Sequence, residues 1–161
     1  MTRQYYYLDT NYILAYLAYK HPEHFKNLDI NPTESRLANS VIGYLTPEKI
    51  KMPLFVLAEL VTQLKEKNAF VGIDLLVGYF EIAMIKKEDL KKFVKALKIL
   101  IKDERLEVMD RLIVAHAISS YECTGFLTFE NRLITSRSIK NANKEINGSE
   151  GIVITSDPRS K

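Results

Sequence analysis

The sequence predicts an α/β protein, a three-layer α/β/α sandwich around a parallel sheet. Two observations predict it. Short apolar segments recur along the chain, and they are continuously apolar rather than alternating, as strands covered on both faces must be. Between them run longer segments with apolar residues three and four apart, the period of a helix with one packed face. At 161 residues the chain suits one core, so residues 1–156 read as a single domain and 157–161 as a frayed tail.

The elements follow in order. Tyr5–Leu8 is the first strand. Asn11–Tyr19 reads as a helix whose packed face carries Ile13, Leu14, Leu17 and Ala18. Thr33 is the expected N-cap of a helix over Glu34–Leu45, which lengthens the connection to the second strand, Ile50–Met52. Leu54–Lys67 opens after Pro53, with Leu57, Leu60, Val61 and Leu64 at helical spacing. Glu81–Met84 is the third strand. Glu88–Arg105 places Leu90, Phe93, Val94, Leu97, Leu100 and Ile101 on one stripe. Its lysines lie elsewhere and read as a solvated face or as a phosphate-contacting surface, the latter disfavoured because Glu88, Asp89, Asp103 and Glu104 dilute their field. Asp110–Tyr121 is the last clear helix, and Phe126–Thr128 and Gly151–Thr155 complete five strands. Right-handed crossovers would set the helices on both faces of the sheet.

Composition narrows the class. Hydrophobic residues at 47% and charged residues at 27% exclude a disordered chain. No apolar run approaches the ~18 residues of a membrane span, and Tyr5–Leu8 is too short for a signal peptide. A cytoplasmic protein without a membrane partner is expected. Cys123 is the lone cysteine, so neither an internal disulfide nor a thiolate zinc site is available, and a small buried hydrophobe is its expected role. A net charge of +3 and a pI near 8.8 suit a polyanionic partner without arguing for one.

Open α/β sheets bind ligands beyond the carboxyl ends of their strands. Four acids fall at that edge. Asp9 ends the first strand, Glu59 lies on an apolar helix after Pro53, Asp110 opens a helix, and Glu130 follows the fourth strand. Singly, each has a plain reading: Asp9 and Asp110 as helix caps, Glu130 as a loop residue. Jointly, four carboxylates at one rim would repel and need a counter-charge. Magnesium or manganese supplies it, being a hard cation that prefers oxygen and keeps several waters. Such an ion lowers the pKa of a retained water and shields charge developing on a phosphate.

At these positions the chain resembles the PIN-domain family. Tyr7-Leu8-Asp9-Thr10-Asn11 is similar to its opening motif, an apolar strand ending in Asp-Thr-Asn or Asp-Thr-Ser. Val56-Leu57-Ala58-Glu59-Leu60 resembles the second motif, and Asp110-Arg111-Leu112-Ile113-Val114-Ala115-His116-Ala117 the third. Leu127-Thr128-Phe129-Glu130 resembles the closing strand-Thr-x-Asp, with Glu130 where Asp is usual. The resemblance implies strand order 3-2-1-4-5 and a magnesium- or manganese-dependent ribonuclease leaving a 5′-phosphate and a 3′-hydroxyl. It makes Asp9, Glu59 and Asp110 the metal acids, with Glu130 as the fourth catalytic candidate. Asn11 and Thr128 would steady the acids or the metal waters. A branch of the family, the VapC toxins, adds a homodimer and a small antitoxin protein as expected partners beside RNA.

Other residues are read more plainly. Arg111, Arg132 and Arg137 are placed near the rim, as phosphate contacts or as ordinary surface arginines. His21 and His24 have no third ligand nearby, and His116 reads as packing. Two other functions compete with a nuclease. One is a non-catalytic or weakly catalytic module that keeps the fold to bind RNA or a partner, favoured by Glu130. The other is a phosphatase of the haloacid dehalogenase kind, disfavoured because Asn11 stands where that family needs a second Asp.

Overall fold

Five strands form where the apolar segments lie: β1 (Tyr5–Leu8), β2 (Ile50–Pro53), β3 (Glu81–Ala83), β4 (Cys123–Leu127) and β5 (Val153–Thr155). The computed structural model describes residues 3–66 and 71–160. The strands make one all-parallel sheet in the order β3-β2-β1-β4-β5. β4 starts three residues before the expected Phe126, because Thr124 and Gly125 break its apolar run without breaking its pairing. Gly125 is required there. A Cβ at that position would lie 2.8 Å from the Tyr6 ring, which covers it from the neighbouring strand.

The helices are α1 (Thr10–Lys20), α2 (Pro22–Phe25), α3 (Pro32–Leu45), α4 (Leu54–Glu66), α5 (Val71–Tyr79), α6 (Leu90–Leu100), α7 (Val108–Ser119), α8 (Asn131–Ile134) and α9 (Arg137–Asn147). Asn31, not Thr33, caps α3: its side-chain oxygen accepts from the Thr33 N–H at 2.8 Å, with Pro32 as the first helical residue. α6 is shorter than the apolar stripe suggested. It follows a 3₁₀ turn over Lys87–Asp89 and stops at Leu100, and only part of the stripe is covered. Phe93, Ala96 and Leu100 are buried, whereas Leu90, Val94 and Ile101 are exposed. The expected end of α4 at Lys67 lies outside the described residues.

Four helices had no clear signal. α2 and α8 span four residues each, too few to show a period. α5 carries Gly72 and Gly78, poor helix formers. α9 is mostly polar and buries only Ile139 and Ala142.

Strand order explains the layers. The chain moves from β1 to β2 to β3 in one direction, then returns to β4 and continues to β5 in the other. Right-handed crossovers then put the two sets of connecting helices on opposite faces. The contacts agree, since α1 packs on α2 and α3 while α6 packs on α7 and α9. α4 also touches α7, which brings two acid-bearing helices together. α1 is buried nearly all round, from Thr10 through Leu17 except Asn11. Residues after β5 are tied back: Tyr12 donates its hydroxyl to the Ser156 carbonyl at 2.8 Å, and Arg159 donates to Asp157 and to Ser40.

At the amino edge of the sheet, a buried ion network joins three strands. Glu122, just before β4, accepts from the Tyr7 hydroxyl at 2.8 Å and from Lys51 and Lys86 at 3.2 Å. The Tyr7 hydroxyl also meets Ser120 at 2.7 Å, and the Lys51 ammonium sits 3.9 Å from the Tyr5 ring centre. Burial pushes the Glu122 carboxyl up, but these donors more than reverse it and leave it below its ordinary value. Removing that charge leaves the buried Lys51 ammonium with only the exposed Glu81 carboxylate, at 3.6 Å, and the Tyr5 ring among the described residues. Glu122→Gln is expected to lower stability by about 3 kcal/mol in urea denaturation; a loss below about 1 kcal/mol would show the network to be dispensable.

Candidate active site

At the opposite, carboxyl edge the chain makes a cavity of about 280 Å³. Asp9, Glu59, Asp110, Glu130, Asn11 and Arg132 all line it, together with Thr10, Leu14, Gln63 and Glu107. Five carboxylates therefore face one guanidinium. The five acids arrive from four stretches of chain, Glu107 and Asp110 sharing the head of α7.

Asp9 is the residue after β1 and the N-cap of α1. One carboxylate oxygen accepts from the Thr10 N–H at 2.9 Å, and the other from the Thr128 hydroxyl at 2.7 Å. Both oxygens are thus oriented, and the group is buried. Burial is the main cause that pushes its pKa up to about 7, helped by the charges of Glu59 and Asp110 and opposed by the two hydrogen bonds. Thr128 is fully buried and bridges two acids, since its oxygen also accepts from the Glu130 N–H at 3.0 Å. The Asn11 side-chain oxygen accepts from the Phe129 N–H at 3.3 Å, fixing the same turn. Tyr12 stacks on Phe129 with ring centres 4.4 Å apart and closes that side.

Glu59 is half-buried on α4, between the buried Val56 and Leu60. Burial raises its pKa, the Thr10 hydroxyl opposes this, and Asp110 and Glu107 raise it further. Asp110 is the third residue of α7, not the first. It forms a capping box with Glu107, whose backbone N–H it accepts at 3.3 Å. Its other tie is an ion pair with Arg132 at 2.7 Å. Glu130 precedes α8, and its carboxylate reaches the same guanidinium at 3.4 Å. Arg132 is thus the counter-charge that lets these acids share a cavity.

Arg111 lies outside this cavity and donates to the Asp103 carbonyl at 2.9 Å. Glu107 and Gln63 were missed from the sequence, although both had a signal. Gln63 is one helical turn beyond Glu59, and Glu107 stands three residues before Asp110 in capping-box spacing. His116 is buried against Tyr7 and Phe55, and burial lowers its pKa to about 4, so it stays neutral. The Cys123 thiol is buried and pushed up to about 12. His21 meets the Tyr79 hydroxyl at 2.9 Å.

The donor set suits a hard cation: it offers carboxylates and neutral oxygens, with no thiolate or imidazole. The buried, doubly oriented Asp9 and its acidic neighbours call for positive charge beyond one guanidinium. Among the described residues, no three acidic, histidine or cysteine side chains are drawn together into a ready-made cage. Magnesium does not require one, because it keeps several of its waters.

A family model described as PIN domain matches residues 6–135. No curated protein and no solved structure matches the chain.

The Asp9 shift has a consequence for stability. Its pKa is raised from 3.8 to about 7 on folding. The stability carried by the neutral form is therefore full below pH 3.8 and is lost as pH rises through about 7. In EDTA, the melting temperature of the wild type is expected to fall by several degrees relative to Asp9→Asn across that window, read by calorimetry. Parallel pH profiles for the two proteins would mean that Asp9 is ionised throughout.

Proposed function

The chain belongs to the PIN-domain family, and on that premise we propose that it is a metal-dependent endoribonuclease acting through the acidic cavity. PIN domains are in general nucleases and typically use divalent metal ions. The observation that carries the reading is the convergence of Asp9, Glu59 and Asp110 from β1, α4 and α7 on one cavity.

Asp9 and Asp110 would hold magnesium or manganese, with Glu59 across from them. When bound, the ion supplies positive charge toward the phosphate and toward the attacking water. The residues around it set the geometry. Thr128 and the Thr10 N–H fix both oxygens of Asp9, so its orientation precedes any ligand. Asn11 and the Tyr12–Phe129 stack hold the turn that carries Glu130. Glu130, longer than the usual Asp and already turned toward Arg132, would act on solvent around the ion rather than on the ion itself. Hydrolysis at this site would leave a 5′-phosphate and a 3′-hydroxyl. A role as the toxin of a toxin–antitoxin pair would add a small protein inhibitor.

One observation favours a second reading, a module that binds RNA or a partner without cutting it. Arg132 already pairs with Asp110 and Glu130, so the cavity has a resident cation of its own.

The test is cleavage of a labelled structured RNA by wild type and Asp9→Asn, with manganese, with magnesium and with EDTA. Cleavage should require both the metal and Asp9, and Asp110→Asn should be equally inactive while folded. Absence of cleavage, with no metal binding by calorimetry, would favour the binding module. In the same assay Glu130→Gln should slow the reaction by about tenfold to a hundredfold, the range of a residue beyond the metal's own ligands. A loss as complete as that of Asp9→Asn would make Glu130 a ligand.

A further inference from the structure

A second cavity adjoins the acidic one, and Arg132 lines both. It measures about 250 Å³ and is lined by Arg105, Arg137, Thr135, Ser136 and Asp103 besides Arg132. Its charge is the reverse of its neighbour's. The acidic cavity sets five carboxylates against one guanidinium; this one sets three guanidiniums against one carboxylate.

That carboxylate is already engaged. Asp103 accepts from Arg105 at 3.0 and 3.2 Å and from the Ser138 hydroxyl at 2.7 Å. Among the described residues, Arg137 has no ion-pair partner. It is also the first residue of α9, an 11-residue helix capped by Ser136, whose side chain accepts from the Ile139 N–H. The positive end of that helix therefore faces the same space, an arrangement that favours an anion. Arginines and a helix N-terminus on one cavity make a pocket for a singly charged phosphodiester.

We infer that Arg132 is a two-position side chain that couples cation binding in the acidic cavity to the grip on an RNA phosphate in the basic one. In the present position its guanidinium holds Asp110 Oδ2 at 2.7 Å, beside the Oδ1 that a divalent ion would take. Guanidinium and ion compete for that carboxylate, and their like charges exclude each other at such range. The Arg132 side chain is 42% exposed, and among the described residues its ion pairs are those with Asp110 and Glu130. Displaced from Asp110, it turns into the pocket it already lines and completes a triad with Arg105 and Arg137. The phosphate bound there belongs to a linkage next to the one being cut. RNA thus binds more tightly to the metal-loaded protein, and the metal-free protein keeps Asp110 and Glu130 paired.

The inference rests on the proposed metal site, and the experiment separates the two. Manganese is titrated by calorimetry into wild type, Arg132→Gln, Arg137→Gln and Asp9→Asn. Binding of a short fluorescein-labelled RNA with cleavage-resistant phosphorothioate linkages is followed by anisotropy, with manganese and with EDTA. Arg132→Gln should bind manganese about fivefold or more tightly than wild type, and should lose the manganese-dependent gain in RNA affinity. Arg137→Gln should weaken RNA binding and leave manganese affinity unchanged. Arg132→Lys, which keeps the charge but not the fork, should shift both quantities in the same direction by less. Manganese affinity in Arg132→Gln equal to or below that of wild type would overturn the switch, even with the metal site intact. Manganese that does not bind wild type, or binds Asp9→Asn equally well, would overturn the metal site and the switch together.

Discussion

Mutual repulsion among carboxylates governs the carboxyl edge of this molecule. Asp9, Glu59, Glu107, Asp110 and Glu130 are delivered to one cavity by four separate stretches of chain, and the sheet topology leaves them nowhere else to go. β1 lies at the centre of the sheet with β2 on one side and β4 on the other, so the chain departs from it in opposite directions. The crevice left by that divergence is where α/β sheets gather ligands. Every local device around it answers the repulsion. Thr128 and the Thr10 N–H hold Asp9, the head of α7 receives Asp110, and Arg132 spans Asp110 and Glu130.

The two ends of the sheet treat charge differently. At the amino edge, Glu122 is matched by Lys51 and Lys86 and capped by Tyr7, so its demand is met within the chain. At the carboxyl edge, one guanidinium answers five acids, and the remaining demand is a binding energy in waiting. Between the two ends, His116 and Cys123 are buried and held neutral. Neither lines the acidic cavity, whose five carboxylates offer oxygen.

Much of this was legible in the sequence, and the reasons are local. Asp9 announces itself because a four-residue apolar strand stops at a charge, and Glu59 because an acid interrupts an apolar helix. Asp110 stands out at the head of an Ala-rich helix. What was illegible depends on pairing at a distance. Lys51 meets Glu122 across 71 positions, and no period in either segment marks the contact. α9 packs with only two buried residues and so reads as polar loop, which hid the basic pocket at its head. Arg132 and Glu130 were both visible as charged residues near the rim. Their geometry, one fork between two acids, belongs to the folded chain alone.

The shortness of β1 carries an evolutionary consequence. Tyr7 is tied to Glu122 at one edge of the sheet, and Asp9, two positions on, is tied to Thr128 at the other. The strand acts as a ruler between them, with about 3.3 Å per residue and a side chain reversed at every step. An insertion or deletion of one residue between Tyr5 and Asp9 would turn either the tyrosine or the aspartate to the wrong face. The long stretch between α1 and β2 bears no such restriction, because its ends are set by packing and not by a count of residues. Length variation among descendants of this chain should therefore collect there, and Tyr5 to Asp9 should change by substitution alone.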